Sequence, residues 1–172
     1  GKFYDNHSLT IINRNIAIGL AKKFDVYLTS LDQFDPEFKL NSDIVGELKK
    51  LEAKDIADQA PDIQIRHCYP PVWNWPLHEK TKVVYIQPWE YPKAPFEWQY
   101  KFETFADALI VPSNFVATVF RNAGLRPDNL FVVPNGYDKE LFNIDDNYLY
   151  TNKKVIIKYI SNIYLKCLIK LI

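Results

Sequence analysis

The chain has 172 residues, 48% hydrophobic and 24% charged, with 21 Lys+Arg against 21 Asp+Glu. That size and balance predict one soluble globular domain, and zero net charge gives no electrostatic reason to expect nucleic acid or an anionic membrane as partner. No apolar run approaches the ~20 residues of a transmembrane helix, and no charged-then-apolar leader opens the chain, so a cytoplasmic location is expected. Cys68 and Cys167 have no metal-ligand spacing. Both are expected as free thiols in a reducing compartment, with no metal and no cofactor implied.

In chain order, Asn6-His7-Ser8 offers capping side chains before a run in which Leu9, Ile12, Ile16 and Leu20 recur at helical spacing. "FDVYLTS" (24–30) reads as the strand that this helix feeds. After the polar loop "LDQFDPEFKLN", Ser42 is placed to cap a surface helix through "DIVGELKKLEAKD", and "DIQIRHC" (62–68) reads as the next strand. "YPPVWNWPLHE" is too rich in Pro and Trp for either regular state. "KVVYIQP" is a buried-type strand, and Pro95 opens a helix with Trp98, Phe102 and Phe105 at i, i+4 and i+7. "DALIVPS" is the following strand. Ser113 then caps a helix whose Phe115, Val116, Val119, Phe120 and Ala123 form the expected inward stripe, ended by Gly124, and "NLFVVP" closes the series.

Apolar strands separated by single amphipathic helices predict an α/β fold, a doubly wound and mostly parallel Rossmann-like sheet; no internal repeat is present. Ligands of such sheets bind beyond the carboxyl ends of the strands. Polar and aromatic residues fall at those points: Asn6-His7-Ser8, His67, Gln87 to Glu90, Ser113-Asn114 and Asn135 to Asp138. Asp5 and Asp107 are not spaced as a glycosidase carboxylate pair.

The stretch "FADALIVPSNFVATVFRNAGLRPDNLFVVPNGYDKELF" resembles the end of the N-terminal domain of family-four (group one) glycosyltransferases, two-domain enzymes of the GT-B fold. A strand ending in Ser, a helix, a Gly-containing turn, a strand and Asn-Gly-hydrophobic-Asp followed by Phe occur in that order. "HSLTIINRNIAIGL" and "VVYIQPWEYPKAPFEW" resemble segments of a bacterial subgroup, and the likeness spans roughly residues 1–143.

The resemblance implies half of a GT-B enzyme: the acceptor-side domain of a retaining glycosyltransferase that moves a hexosyl unit from a nucleotide sugar to a carbohydrate or other hydroxyl acceptor. It places His7, Trp89 and Glu90 on the acceptor side, where Trp89 would stack on a sugar face and Glu90 would accept from hydroxyls. Asn6 and Ser8, at a helix N-terminus, fall on the donor-phosphate side. Asn135, Gly136 and Asp138 form the approach to an interdomain hinge, where Gly136 permits a turn and Asp138 can bond nearby amides. No residue of this half is implied as the catalyst. Each position also has a plainer reading: His7 as a polar loop residue, Trp89 as packing under a Pro-rich loop beside a solvated Glu90, Trp73 and Trp75 as pins of their loop rather than cleft walls, and 135–138 as a turn.

The family binds its nucleotide sugar mostly through a second domain, and no such region is recognisable after Gly136. Only Gly1 to Asp5 stand where the family has a first strand, so the domain at 1–143 is expected to lack it. The tail, 144–172, is dominated by Ile, Lys, Asn, Tyr and Leu. It reads either as the product of a frameshift or truncated frame, or as a genuine strand and amphipathic helix. Besides the half-enzyme, a non-enzymatic carbohydrate-binding module and an inactive remnant fit the same residues.

Overall fold

A computed structural model of the protein describes residues 1–35, 40–52, 60–125 and 127–137. Its internal contacts divide the chain into two units, Gly1–Val132 and Val133–Ile172. The second is described only at 133–137. The expected boundary at 143 and the tail 144–172 lie outside the described residues.

The elements of the first unit are α1 (Ser8–Ala21), α2 (Ser42–Glu52), β1 (Ile63–Arg66), β2 (Lys82–Ile86), α3 (Phe96–Phe105), β3 (Ala108–Val111), α4 (Asn114–Asn122), a 3₁₀ turn (Pro127–Asn129) and β4 (Leu130–Val132). The four strands stand in the order β1-β2-β3-β4 and every pair is parallel. This is the expected α/β fold. Parallel neighbours need a crossover, usually helical, and α3 and α4 supply two of the three. On one face of the sheet Val83, Tyr85, Leu109, Val111 and Leu130 pack with Trp98 and Phe102 of α3 and with Val116, Ala117 and Phe120 of α4 in a single core. The alternate residues Val84, Ile86, Ala108 and Ile110 are buried too. Burial on both faces is why these strands read as unbroken apolar runs rather than alternating ones.

The β1–β2 crossover, residues 67–81, contains no helix. Trp73 packs there against α3 and the sheet, stacked on Tyr85 at 5.4 Å and edge-on to Phe102 at 4.9 Å. Arg66 fixes the loop: its Nη1 donates to the carbonyls of Asn74 (2.8 Å) and Val72 (3.3 Å) and to the Tyr85 hydroxyl (2.9 Å), which in turn donates to Val72 O at 2.6 Å. Burial raises the Tyr85 pKa against the opposing Arg66 charge, so the phenol keeps the proton that it donates. Trp75 stays exposed and leans on Phe105, at the end of α3 and two residues short of Asp107 before β3. That is the amino edge of the sheet, away from the expected cleft. Trp73 and Trp75 are thus pins of the loop.

Four local expectations differ. Residues 24–30 form no strand; Leu28 N donates to Leu51 O at 3.3 Å and Leu31 N to Gly1 O at 2.7 Å. The inward face of α1 is Thr10, Asn13, Arg14 and Ala17, while Leu9, Ile12, Ile16 and Leu20 are half-buried. Phe115 is 54% exposed, and the buried stripe of α4 is Val116, Ala117, Val119 and Phe120. Finally, Asn41 rather than Ser42 caps α2, its Oδ1 accepting from Asp43 N at 2.8 Å.

The start and stop of α4 are as expected. Ser113 Oγ accepts from Val116 N at 3.3 Å, and Gly124 follows the helix at φ 96°, a conformation that side chains with Cβ avoid. Ser113→Ala should cost about 1 kcal/mol of stability. Chemical denaturation with an unchanged m-value would register it, and Ser113→Asn should recover most of the loss.

Candidate functional site at the carboxyl edge of the sheet

The carboxyl ends of the parallel strands share one edge, where α1 is tied to β1 by two buried polar side chains. Asn13 Nδ2 donates to the carbonyls of Lys2 (2.9 Å) and His67 (3.2 Å), and Asn13 Oδ1 lies 2.7 Å from His67 Nδ1. Because the amide nitrogen is spent on carbonyls, Oδ1 must accept, which assigns the neutral His67 ring a proton on Nδ1. Burial, reinforced by the nearby Gly1 ammonium, pushes the His67 pKa down to about 4. His67 is therefore a neutral structural post. Arg14, next in α1, donates from Nη1 to Phe3 O (2.9 Å) and Asp5 O (2.8 Å). Burial lowers its pKa, and Asp5 and Asp32 oppose that effect.

These contacts bring the start of α1 to the carboxyl edge, since Asn13 lies only five residues past Ser8, ~8 Å at the helical rise. None of the expected capping side chains is used there. His7 is the N-cap residue without a side-chain bond to the helix, and Asn6 and Ser8 are exposed. Asp5 serves instead: its Oδ1 accepts from His7 N (2.8 Å) and Thr10 Oγ1 (3.3 Å), and its Oδ2 is 3.6 Å from His7 Nε2. That carboxylate offsets the partial positive charge of the helix N-terminus.

Gln87, the residue after β2, is fully buried, and its backbone N–H donates to Ile110 O at 2.9 Å. Pro88 turns the chain outward. Trp89 is half-buried: its Nε1 donates to Lys93 O (2.9 Å) and its ring lies 4.7 Å from Trp98 and 5.3 Å from Tyr91. The indole thus closes the loop 88–93 and leaves Tyr91 as the exposed ring. Glu90 is exposed, with no hydrogen bond or ion pair among the described residues. Ser113 follows β3 at the same edge, committed to its cap. Asn135 and Gly136, beyond β4 in sequence, are exposed, and Asp138 lies outside the described residues. The cleft lined by Phe102, Ala106, Leu125 and Leu130 falls at the opposite, amino edge of β3 and β4.

In a comparison against known families, the model of Glycosyltransferase Family 4 matches residues 54–141, about half of the chain, in agreement with the parallel sheet. The chain belongs to that family. Comparison with curated proteins and with solved structures gives no match. Membership of family 4 makes the sheet one Rossmann-like half of a GT-B arrangement. Among the described residues no helix is long and apolar enough to cross a membrane, and no group of acidic, His and Cys side chains is arranged for a metal. Cys68 is a free thiol, as expected.

Asn13 and Arg14 were not singled out from the sequence of this family member, although a signal existed. Thr10, Asn13, Arg14 and Ala17 lie at i, i+3, i+4 and i+7, a helical stripe as regular as the apolar one. Its polar members hide the stripe when burial is read from hydrophobicity alone.

Proposed function

We propose that this chain is the acceptor-side half of a retaining glycosyltransferase, which moves a hexosyl unit from a nucleotide sugar to a hydroxyl of a carbohydrate or other acceptor once a nucleotide-sugar-binding domain completes the cleft. The match to Glycosyltransferase Family 4 carries this reading. The exposed Glu90 carboxylate beyond β2 is free to accept hydrogen bonds from acceptor hydroxyls, with Tyr91 and the part-exposed Trp89 ring beside it as apolar surface for a sugar face. His7, Asn6 and Ser8 line the other side of the same edge at the start of α1. Because Asp5 offsets the helix charge there, most of the leaving diphosphate's stabilisation has to come from the second domain. Asn135, Gly136 and Asp138 lead toward that domain.

Calorimetric titration of the chain with a panel of oligosaccharides and nucleotide sugars tests the reading. An oligosaccharide should bind where nucleotide sugars alone do not, and Glu90→Gln should weaken that binding about tenfold, the size of one lost charged hydrogen bond, with the melting temperature unchanged. Equal affinity of the variant would remove Glu90 from the acceptor site. Adding a separately expressed nucleotide-sugar-binding domain and a labelled donor should produce transfer. Sugar binding without any transfer in that mixture would favour a binding module.

A further inference from the structure

Tyr69, Trp98, Trp89 and Tyr91 form a row of rings on the α3 side of the carboxyl edge. Trp98, in the first turn of α3, is the buried member, with the Trp89 ring at 4.7 Å and the Tyr69 ring at 6.4 Å. Tyr91 continues the row from Trp89 at 5.3 Å. Tyr69 and Tyr91 are 63% and 64% exposed, and among the described residues Tyr69 meets no ring other than Trp98. Two solvent-facing rings therefore stand apart at the ends of the row, with indole between them. Exposed aromatics scattered singly are ordinary, but these two are joined through one buried contact.

Both ends are held in place by the fold itself. Tyr69 follows β1 in the crossover whose Val72 and Asn74 carbonyls accept from Arg66 and whose Trp73 also lies on Trp98, at 6.3 Å. Tyr91 belongs to the loop that the Trp89 bond to Lys93 O closes. Rings fixed in this way lose little freedom when a ligand settles on them. Among the described residues neither tyrosine hydroxyl makes a hydrogen bond, and the exposed Glu90 carboxylate stands between Trp89 and Tyr91 in the chain. Ring faces interleaved with free hydroxyls and a carboxylate match a pyranose chain, whose units carry C–H faces and a rim of hydroxyls. A lipid tail or an apolar peptide would cover the same polar groups without bonding them.

We propose that the acceptor is an oligosaccharide of at least two pyranose units, one beside Glu90 and Tyr91 and a neighbouring one on Tyr69. This rests on the acceptor-side reading of Glu90 and Tyr91, and it adds Tyr69 as the residue that selects for length. A pyranose is about as wide as one aromatic ring, so a single unit does not reach both ends of the row. Units whose substituents are equatorial present flat C–H faces to such rings, which makes β-linked, gluco-configured chains the fitting class.

Methyl β-glucoside, cellobiose and cellotriose are titrated into the full chain, followed by calorimetry and by tryptophan fluorescence. Cellotriose should bind about tenfold more tightly than the monosaccharide, the size of one added stacking contact. Tyr69→Ala should remove that advantage while leaving monosaccharide affinity and melting temperature unchanged, and Tyr69→Phe should keep it. Tyr91→Ala should weaken all three saccharides. Equal affinities for one and three units, or a Tyr69→Ala loss of the same size at every length, would overturn the proposal and leave the Glu90→Gln result to judge the acceptor site on its own. The proposal also fails if octyl β-glucoside gains the same Tyr69-dependent affinity as cellotriose, since the second ring would then take an apolar chain, or if no saccharide binds at millimolar concentration.

Discussion

Phe102→Ala should lower the unfolding free energy by about 4 kcal/mol, among the largest effects of any single truncation in this chain. Phe102 is 1% exposed, and its ring meets Trp73, Tyr85, Trp98 and Phe120 at centroid distances of 4.9–5.9 Å. It thus joins α3 to the sheet, to α4 and to the helix-free crossover at once, so the cavity has little means of collapsing. Phe115→Ala, by contrast, should change stability by less than about 0.5 kcal/mol, because that ring faces water. Urea unfolding of the two variants checks both values. Comparable losses would mean that α4 is rotated on the sheet relative to the structure described.

The second large effect is on pH dependence and resides in His67. Its folded pKa of about 4 lies below the ordinary 6.5. Above 6.5 the ring is neutral in both states and nothing is lost. As pH falls from 6.5 the unfolded chain takes up a proton that the folded chain refuses, so stability declines until about pH 4, by about 3 kcal/mol in all. Hydrogen bonds from Ser30 and from the Phe3 and Tyr4 amides outweigh burial and hold Asp32 below its usual 3.8, so its contribution is lost only at lower pH still. Melting temperatures of the parent and of His67→Gln across pH 4–8 separate the groups: the variant should be less stable at pH 7 yet show a much flatter slope between 6.5 and 4. An unchanged slope would place the acid sensitivity elsewhere.

The parallel sheet was legible because both faces of β2 and β3 are buried, which leaves "VVYI" and "ALIV" apolar throughout, and because Ser113 and Gly124 mark the ends of α4 by local chemistry that tertiary contacts do not alter. Phe115 was misplaced since a helical stripe wider than the contact it makes must leave one flank in solvent. Capping of α1 was missed for a different reason: Asp5 reaches two residues forward to the His7 amide, so the useful side chain stands ahead of the apparent cap. At the edge itself, the positions after strand ends could be read from the strand pattern, as Glu90 and Ser113 were. The Asn13–His67 tie could not, because it joins residues 54 apart and depends on how α1 lies on β1.

The unreversed order β1-β2-β3-β4 bears on how the chain comes together during synthesis. Each ladder joins segments only roughly twenty residues apart, Ile63 with Lys82, Val84 with Ala108 and Leu109 with Leu130, which keeps loop-closure cost low for a parallel sheet. A strand leaving the ribosome therefore finds its neighbour already made, and the sheet can lengthen one strand at a time in the direction of translation. The contact of Asn13 with His67 follows no such order, since α1 must wait for β1 to emerge. The nascent chain thus acquires its β-ladder by local addition, whereas the helix that frames the carboxyl edge is fastened by the longer-range step.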